Sequence, residues 1–208
     1  PTNQAPKFID ASVWPFAGVG GADQLIPSQQ IWDLYDSIND VRRDLSMADQ
    51  WLDGRDGFVH DELWQLKHGI NNQPFAFRVW GINHFVMRYA EALLISAEAE
   101  NQLDNPARAV ELVNMIRSRA KLLDFSSTDK AEIHQEVILQ RRLELAFENE
   151  RWFDIKRQPN YVEIINEFIY YTGTPEGISW NDTYLLYPIP ILEISKVGPD
   201  ILTQNPGY

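Results

Sequence analysis

At 208 residues, with 44% hydrophobic and 23% charged side chains, the chain can form a globular domain with a real core. Thirty acidic against eighteen basic residues give a net charge of -12. That balance argues against nucleic acid or anionic lipid surfaces as partners and leaves a neutral glycan or a peptide compatible. Cysteine is absent, which excludes disulfides, zinc–thiolate sites, thiol nucleophiles and a lipobox cysteine within these residues. They contain no signal-peptide pattern and no transmembrane run.

Residues 1–27 read as an irregular surface loop in which proline, glycine and aromatics alternate. Gly18, Gly20 and Gly21 lack the G-x-G-x-x-G spacing of a phosphate cradle. Trp14 and Phe16 have two readings, loop anchors packed inward or exposed platforms for stacking a sugar. Ser28 is placed to cap a helix running to about Ser37, with Ile31, Leu34, Tyr35 and Ile38 on its apolar face.

Residues 44–83 show little periodicity. Asp49, Asp53 and Asp56 lie close together in an acidic, turn-rich stretch without the alternating ligand positions of an EF-hand. His60, His68, His84 and His134 show no metal-ligand spacing. The residue pattern therefore names no metal site. Trp64, Phe75, Phe77 and Trp80 read as short extended segments covering the helices that follow.

From His84 the pattern turns helical. Phe85, Tyr89, Ala92, Leu93, Ser96, Ala99 and Leu103 recur at helical spacing and are expected to face inward, with Ala90 and Ala97 between them. Asn105-Pro106 breaks the run and places Pro106 at the first position of a second helix. That helix should bury Val110, Val113, Ile116 and Ala120, with Arg117, Arg119 and Lys121 at its dipole-favoured C-terminal end. The two form a helical hairpin of about tetratricopeptide size. Thr128 is placed to cap a further helix through Ile133, Val137 and Ile138, and residues 161–170 suit a shorter one.

Within residues 141–157, RRLELAFENERWFDIKR, helical spacing puts Arg141, Glu144, Glu148 and Arg151 on one face, extended by Asp154. A catalytic reading makes Glu144 and Glu148 an acid–base pair. A structural reading makes them partners of Arg141, Arg142 and Arg151. Carboxylates bracketed by arginines stay ionised, which favours the structural reading. After Gly173 prolines punctuate an extended tail, in which residues 187–190, YPIP, suit polyproline or edge-strand backbone, and residues 204–208, QNPGY, a turn.

Four blocks in order resemble the SusD/RagB family of outer-membrane nutrient-binding lipoproteins: MRYAEALLISAEAENQL, AVELVNMIRSRA, RRLELAFENERWFDIKR and YPIPILEISKVGPDILTQNPGY. Val197-Gly198-Pro199 departs from the family's usual Asn-Pro step. The resemblance implies a mainly α fold of tetratricopeptide-like hairpins with irregular loop-rich segments and an extended C-terminal tail. It implies that residues 1–208 are the C-terminal portion of a longer protein: 1–83 loop-rich with one short helix, 84–172 helical hairpins, 173–208 tail.

Function follows from the same resemblance. It implies glycan or peptide capture at the outer-membrane surface and delivery to a SusC-like TonB-dependent transporter, with no cofactor, no catalytic residue and membrane contact only through a lipid anchor. Ligand positions are not part of the shared blocks, so the expected contacts rest on residue type alone. They are Trp14, Phe16, Trp51 and Arg55, aromatic or planar groups in turn-rich segments. A helical-repeat interaction scaffold and a glycan-cleaving enzyme with two facing carboxylates are the alternative classes.

Overall fold

A computed structural model describes residues 8–9, 27–38, 40–52, 59–61, 63–65, 67, 86–171, 180 and 182–208. The chain divides into two compact units, Pro1–Arg151 and Trp152–Tyr208. In chain order the described elements are β1 (Phe8–Ile9), α1 (Gln29–Ser37), α2 (Arg43–Ser46), β2 (Met47–Ala48), β3 (Gln50–Leu52), β4 (Val59–His60), β5 (Trp64–Gln65), α3 (Tyr89–Gln102), α4 (Pro106–Arg119), α5 (Lys130–Glu144), α6 (Arg151–Lys156), α7 (Tyr161–Tyr171), a 3-10 turn (Asp182–Leu185) and α8 (Ile191–Val197). Helices dominate, as expected. β3 pairs in parallel with β1 and antiparallel with β4, while β2 and β5 form a separate antiparallel pair.

In the first unit α3, α4 and α5 pack on one another. Ala97, Ala109, Leu112, Val113, Ile133 and Val137 are buried together, with Leu93, Val110 and Phe125 at the edge. Each of the larger aliphatics contributes about 1.5–3 kcal/mol by leaving water. Alanines at 97 and 109 carry little bulk, which suits helices in close approach. Val113, Ile116 and Ala120 are buried as expected on α4.

On α3 the inward face differs from the expected one. The helix buries Ala90, Leu94, Ala97 and Asn101, whereas Tyr89 and Leu103 are each 71% exposed. The cause lies in composition: α3 is apolar around most of its circumference, so periodicity alone does not select the side that meets its neighbours. Glu91 and Asn101 are the polar residues buried on α3, and Asn101 Nδ2 donates to the Lys130 carbonyl at 2.9 Å.

Helix ends follow local chemistry. Ser28 Oγ accepts from the Ile31 amide at 3.4 Å, starting α1 where expected. Pro106 sits in the first turn of α4. The cap of α5 is Asp129, not Thr128: its carboxylate accepts from the Glu132 amide at 2.9 Å. Glu132 in turn accepts from Ser127 Oγ at 2.6 Å. α3 and α4 stop alike, at Asp104 (φ 61) and Lys121 (φ 57). In each the next amide reaches back across the last turn, Asn105 to the Glu100 carbonyl and Leu122 to that of Arg117, both at 2.9 Å. Asn114 then pins the α4–α5 connection by pairing with both the N–H and the C=O of Phe125.

α1 docks against the end of α5. Ile31, Tyr35, Met47 and Leu143 are buried there, and the Tyr35 hydroxyl donates to the Leu143 carbonyl. In the second unit, Ile165 of α7 and Ile194 of α8 are buried. The tail is less extended than its prolines suggest, because residues 191–197 form α8, with Pro190 as a helix-compatible N-cap and Gly198 (φ 100) ending it. Pro188 and Pro190 lack amide protons, so Ile189 is the single backbone donor between them. Gln204 serves it from both ends, accepting from its N–H at 2.7 Å and donating to its C=O at 2.9 Å. Asn205 Nδ2 donates to the Tyr187 carbonyl at 2.6 Å, so the terminal turn clasps the YPIP segment. Among the described residues no helix is long and apolar enough to cross a membrane.

Candidate functional site

Glu144 and Glu148 do come together, but not on one helix face. α5 ends at Glu144, and the chain turns through Phe147 and Asn149, both at φ 67, before α6 begins. The left-handed turn replaces the continuous helix expected over 141–157. Arg88 holds the two carboxylates from the start of α3. Its Nε and Nη2 fork onto the two Glu148 oxygens at 2.7 and 2.9 Å, while Nη1 donates to Glu144 Oε1 and Nη2 also to the Glu144 carbonyl.

The other partners also come from distant segments. Arg42 donates through Nη1 to Glu144 Oε2 at 3.0 Å, through Nη2 to Gln140 Oε1 at 2.8 Å, and through Nε to both Asp40 oxygens at 3.0 Å. Arg119 of α4 donates to Glu144 Oε1. Lys67 Nζ pairs with Glu148 and donates to the carbonyls of Glu144 and Ala146, so it fastens the turn itself. The expected partners Arg141, Arg142 and Arg151 are thus replaced by Arg42, Lys67, Arg88 and Arg119. Arg142 is engaged elsewhere, donating to Gln30 Oε1 at 2.6 Å and so tying α5 to α1. Asp154 accepts from Arg157 Nη2 at 3.0 Å.

Burial and pairing oppose each other here, and pairing wins. The Glu144 side chain is 3% exposed. Burial alone would raise its pKa, but hydrogen bonds from Arg119 and Arg88 and the nearby positive charge hold it at about 2. Glu148 is depressed likewise, burial being outweighed by Arg88 and Lys67. Lys67 is lowered by its burial, partly offset by Glu148. A general acid must hold a proton near neutral pH, and both carboxylates are pushed the other way. The cluster is chemically a charge-saturated joint, which supports the structural reading of the Glu144/Glu148 stripe.

A second polar arrangement lies in the Trp152–Tyr208 unit. The rings of Trp152 and Trp180 meet edge to face with centroids 5.6 Å apart, and Tyr161 meets Trp180 at 6.4 Å and 84°. Trp180 Nε1 and the Tyr161 hydroxyl both donate to one atom, Asp182 Oδ1, at 2.9 and 2.8 Å. Lys156, one helical turn beyond Trp152, sets its ammonium 5.9 Å from that ring and 5.8 Å from Phe153. All three clustered rings are partly exposed and Asp182 is exposed. Sequence pattern singles out neither Trp152 nor Trp180 as a ligand contact. The signal available was an indole two residues before an acid, which says nothing of Tyr161 until the fold closes.

Of the residues expected to contact ligand, Trp14, Phe16 and Arg55 lie outside the described residues. Trp51 is described by its backbone, which sits in β3 opposite Ile9 and His60. Asp53 and Asp56 of the acidic turn also lie outside. Among the described residues no group of three or more His, Cys, Asp or Glu is placed to hold a metal.

Residues 63–208 match the model of the SusD family, SusD_RagB. The chain is 36% identical over 137 residues to SusD-like protein P2 of Formosa agariphila, covering 61% of this chain and 26% of that protein. It is 29% identical over 178 residues to SusD-like protein P25 of the same organism, covering 82% of this chain and 33% of that protein. Two solved structures are similar over nearly the whole chain. A SusD superfamily protein from Bacteroides vulgatus has a TM-score of 0.71 at 26% identity, covering 99% of this chain and 48% of that one. One from Parabacteroides distasonis has a TM-score of 0.70 at 26% identity, covering 100% of this chain and 48% of that one. The chain therefore spans 26% to 33% of the length of these curated relatives.

Proposed function

Because this chain belongs to the SusD family, we propose that it forms part of a nutrient-binding protein of the outer-membrane surface. It captures an oligosaccharide and delivers it to a SusC-like TonB-dependent transporter, held at the extracellular face through a lipid anchor. The 208 residues correspond to the C-terminal portion of that architecture, with the helical hairpins as scaffold and the loop-rich segment as part of the ligand surface. The observation that carries this reading is the family match over residues 63–208.

Binding without catalysis is the chemistry we assign. Glu144 and Glu148 are spent on Arg88, Arg42, Arg119 and Lys67 and stay ionised, which supports a scaffold role for the most charged part of the chain. Trp14, Phe16, Trp51 and Arg55 remain our proposed ligand contacts, since stacking on aromatic or planar groups is how a neutral sugar is held by a protein of charge -12.

Tryptophan fluorescence during titration with soluble oligosaccharides and with peptides tests this reading, repeated on Trp14→Ala and Trp51→Ala. Saturable quenching by oligosaccharide, weakened in either variant, is the expected result. Saturable quenching by peptides alone replaces the ligand class. No response to either class points to a helical interaction scaffold without a small ligand.

A further inference from the structure

The Trp152–Tyr208 unit gathers three partly exposed rings and an exposed carboxylate. A partly exposed Trp or Tyr can satisfy its polar tip with water. Here two such tips, from Trp180 and from Tyr161 at the start of α7, converge on the same oxygen of one exposed carboxylate. Among the described residues no donor reaches Asp182 Oδ2. Two neutral donors fix the carboxylate's direction without cancelling its charge. The Trp180 amide also donates to Asn166 Oδ1 at 3.2 Å, which ties residue 180 to α7. The result is an oriented carboxylate acceptor beside three partly exposed rings. On the Trp152 side stands a donor, Lys156, whose ammonium makes one long bond, 3.4 Å, to the Leu185 carbonyl.

We infer that the Trp152, Tyr161 and Trp180 rings, with Asp182 and Lys156, form a contact surface for a neutral saccharide. The chemistry of a pyranose matches these parts. Its axial C–H face packs on an aromatic ring, and its hydroxyls are both donors and acceptors, which suits an acceptor and an ammonium at the edges of one aromatic patch. A carboxylate that accepts from a hydroxyl makes a charge-assisted bond, stronger than a neutral one. An anionic ligand would meet Asp182 as a like charge on a chain already at -12. This inference rests on the nutrient-binding reading and adds a subsite to it, on residues separate from Trp14, Phe16, Trp51 and Arg55.

The test is calorimetric titration of the full 208-residue chain with malto-, xylo- and laminari-oligosaccharides and with casein peptides, on wild type, Asp182→Asn, Tyr161→Phe and Trp180→Phe. The expected result is that one oligosaccharide class binds, and that Asp182→Asn weakens it about tenfold or more, from the strength of a bond to a charged acceptor. Trp180→Phe should weaken it as well, and Tyr161→Phe less, because its ring stays. Asp182→Asn keeps the side-chain shape and its melting temperature reports whether the fold survives, so it decides the case even where Trp180→Phe is unstable. Oligosaccharide binding unchanged in all three variants overturns the subsite and leaves the nutrient-binding reading standing. Binding of peptides alone overturns the saccharide assignment. No binding of either class overturns both.

Discussion

Glu144→Gln isolates what the buried charge cluster contributes. The substitution keeps shape and removes the charge that Arg42, Arg88 and Arg119 share. Two routes give the size of the loss. Breaking a buried ion pair by neutralising one partner costs about 3–5 kcal/mol. Independently, a carboxyl held at about 2 in the folded state against an ordinary 4.5 is linked to roughly 3 kcal/mol of stability at neutral pH. The side chain is 3% exposed, so screening by water takes little from that figure. Because the folded pKa lies below the unfolded one, this stability is complete above pH 4.5 and is lost as pH falls through 2. Far-UV circular dichroism during urea and thermal unfolding, at intervals from pH 7 to pH 2, reads both features. At pH 7 the variant should be about 3 kcal/mol less stable, a shift of roughly 6–12 °C in melting temperature for a chain of this size. The gap should close toward pH 2, where wild-type Glu144 itself takes up a proton. A pH 7 gap under about 1 kcal/mol, or one that persists undiminished at pH 2, refutes the reasoning.

Three further outcomes are expected, all read by thermal or urea unfolding. Asp129→Ala removes the side-chain acceptor for the Glu132 amide and should cost about 1 kcal/mol, while Asp129→Asn should restore most of it. Leu94→Ala empties a fully buried position beside Ala90 and Ile116, and about 2–5 kcal/mol should be lost; equal stability would mean that α3 turns another face inward. Gly207 has φ 94, and a Cβ there would meet Thr183 Oγ1, Cγ2 and Cβ, all at 3.0 Å or less. Gly207→Ala should therefore cost more than the ~1 kcal/mol of a left-handed non-glycine residue, with Thr183→Ala, which removes Oγ1 and Cγ2, recovering most of the steric part of the loss.

Most helix positions were legible because their signals are local. Ser28 before an amphipathic run and Pro106 after Asn105 mark starts that need no tertiary information, and α1 and α4 begin there. Where two residues compete for one local role, as Thr128 and Asp129 do, composition points to the neighbourhood and geometry chooses the residue. The buried face of α3 was not legible, since alanines and leucines surround most of the helix. α8 was hidden by Pro188 and Pro190, which forbid helix within themselves but leave the next seven residues free to form it.

The charge cluster shows a further limit. Sequence spacing brought Glu144 and Glu148 together for the wrong reason, a shared helix face, when the chain in fact turns through left-handed Phe147 between them and left-handed Asn149 just after. A turn of that kind leaves carbonyls of Glu144 and Ala146 without the helical partners they would otherwise have. Lys67 and Arg88 supply donors to them while neutralising Glu148, so one set of cations satisfies both the backbone and the acids. Neither cation lies in the signature run, and neither could be named from it. The run by which the chain resembles its family therefore specifies a joint whose other half is scattered over residues 40–119. Glu144 and Glu148 are both committed within that joint, which leaves neither carboxylate free for other chemistry.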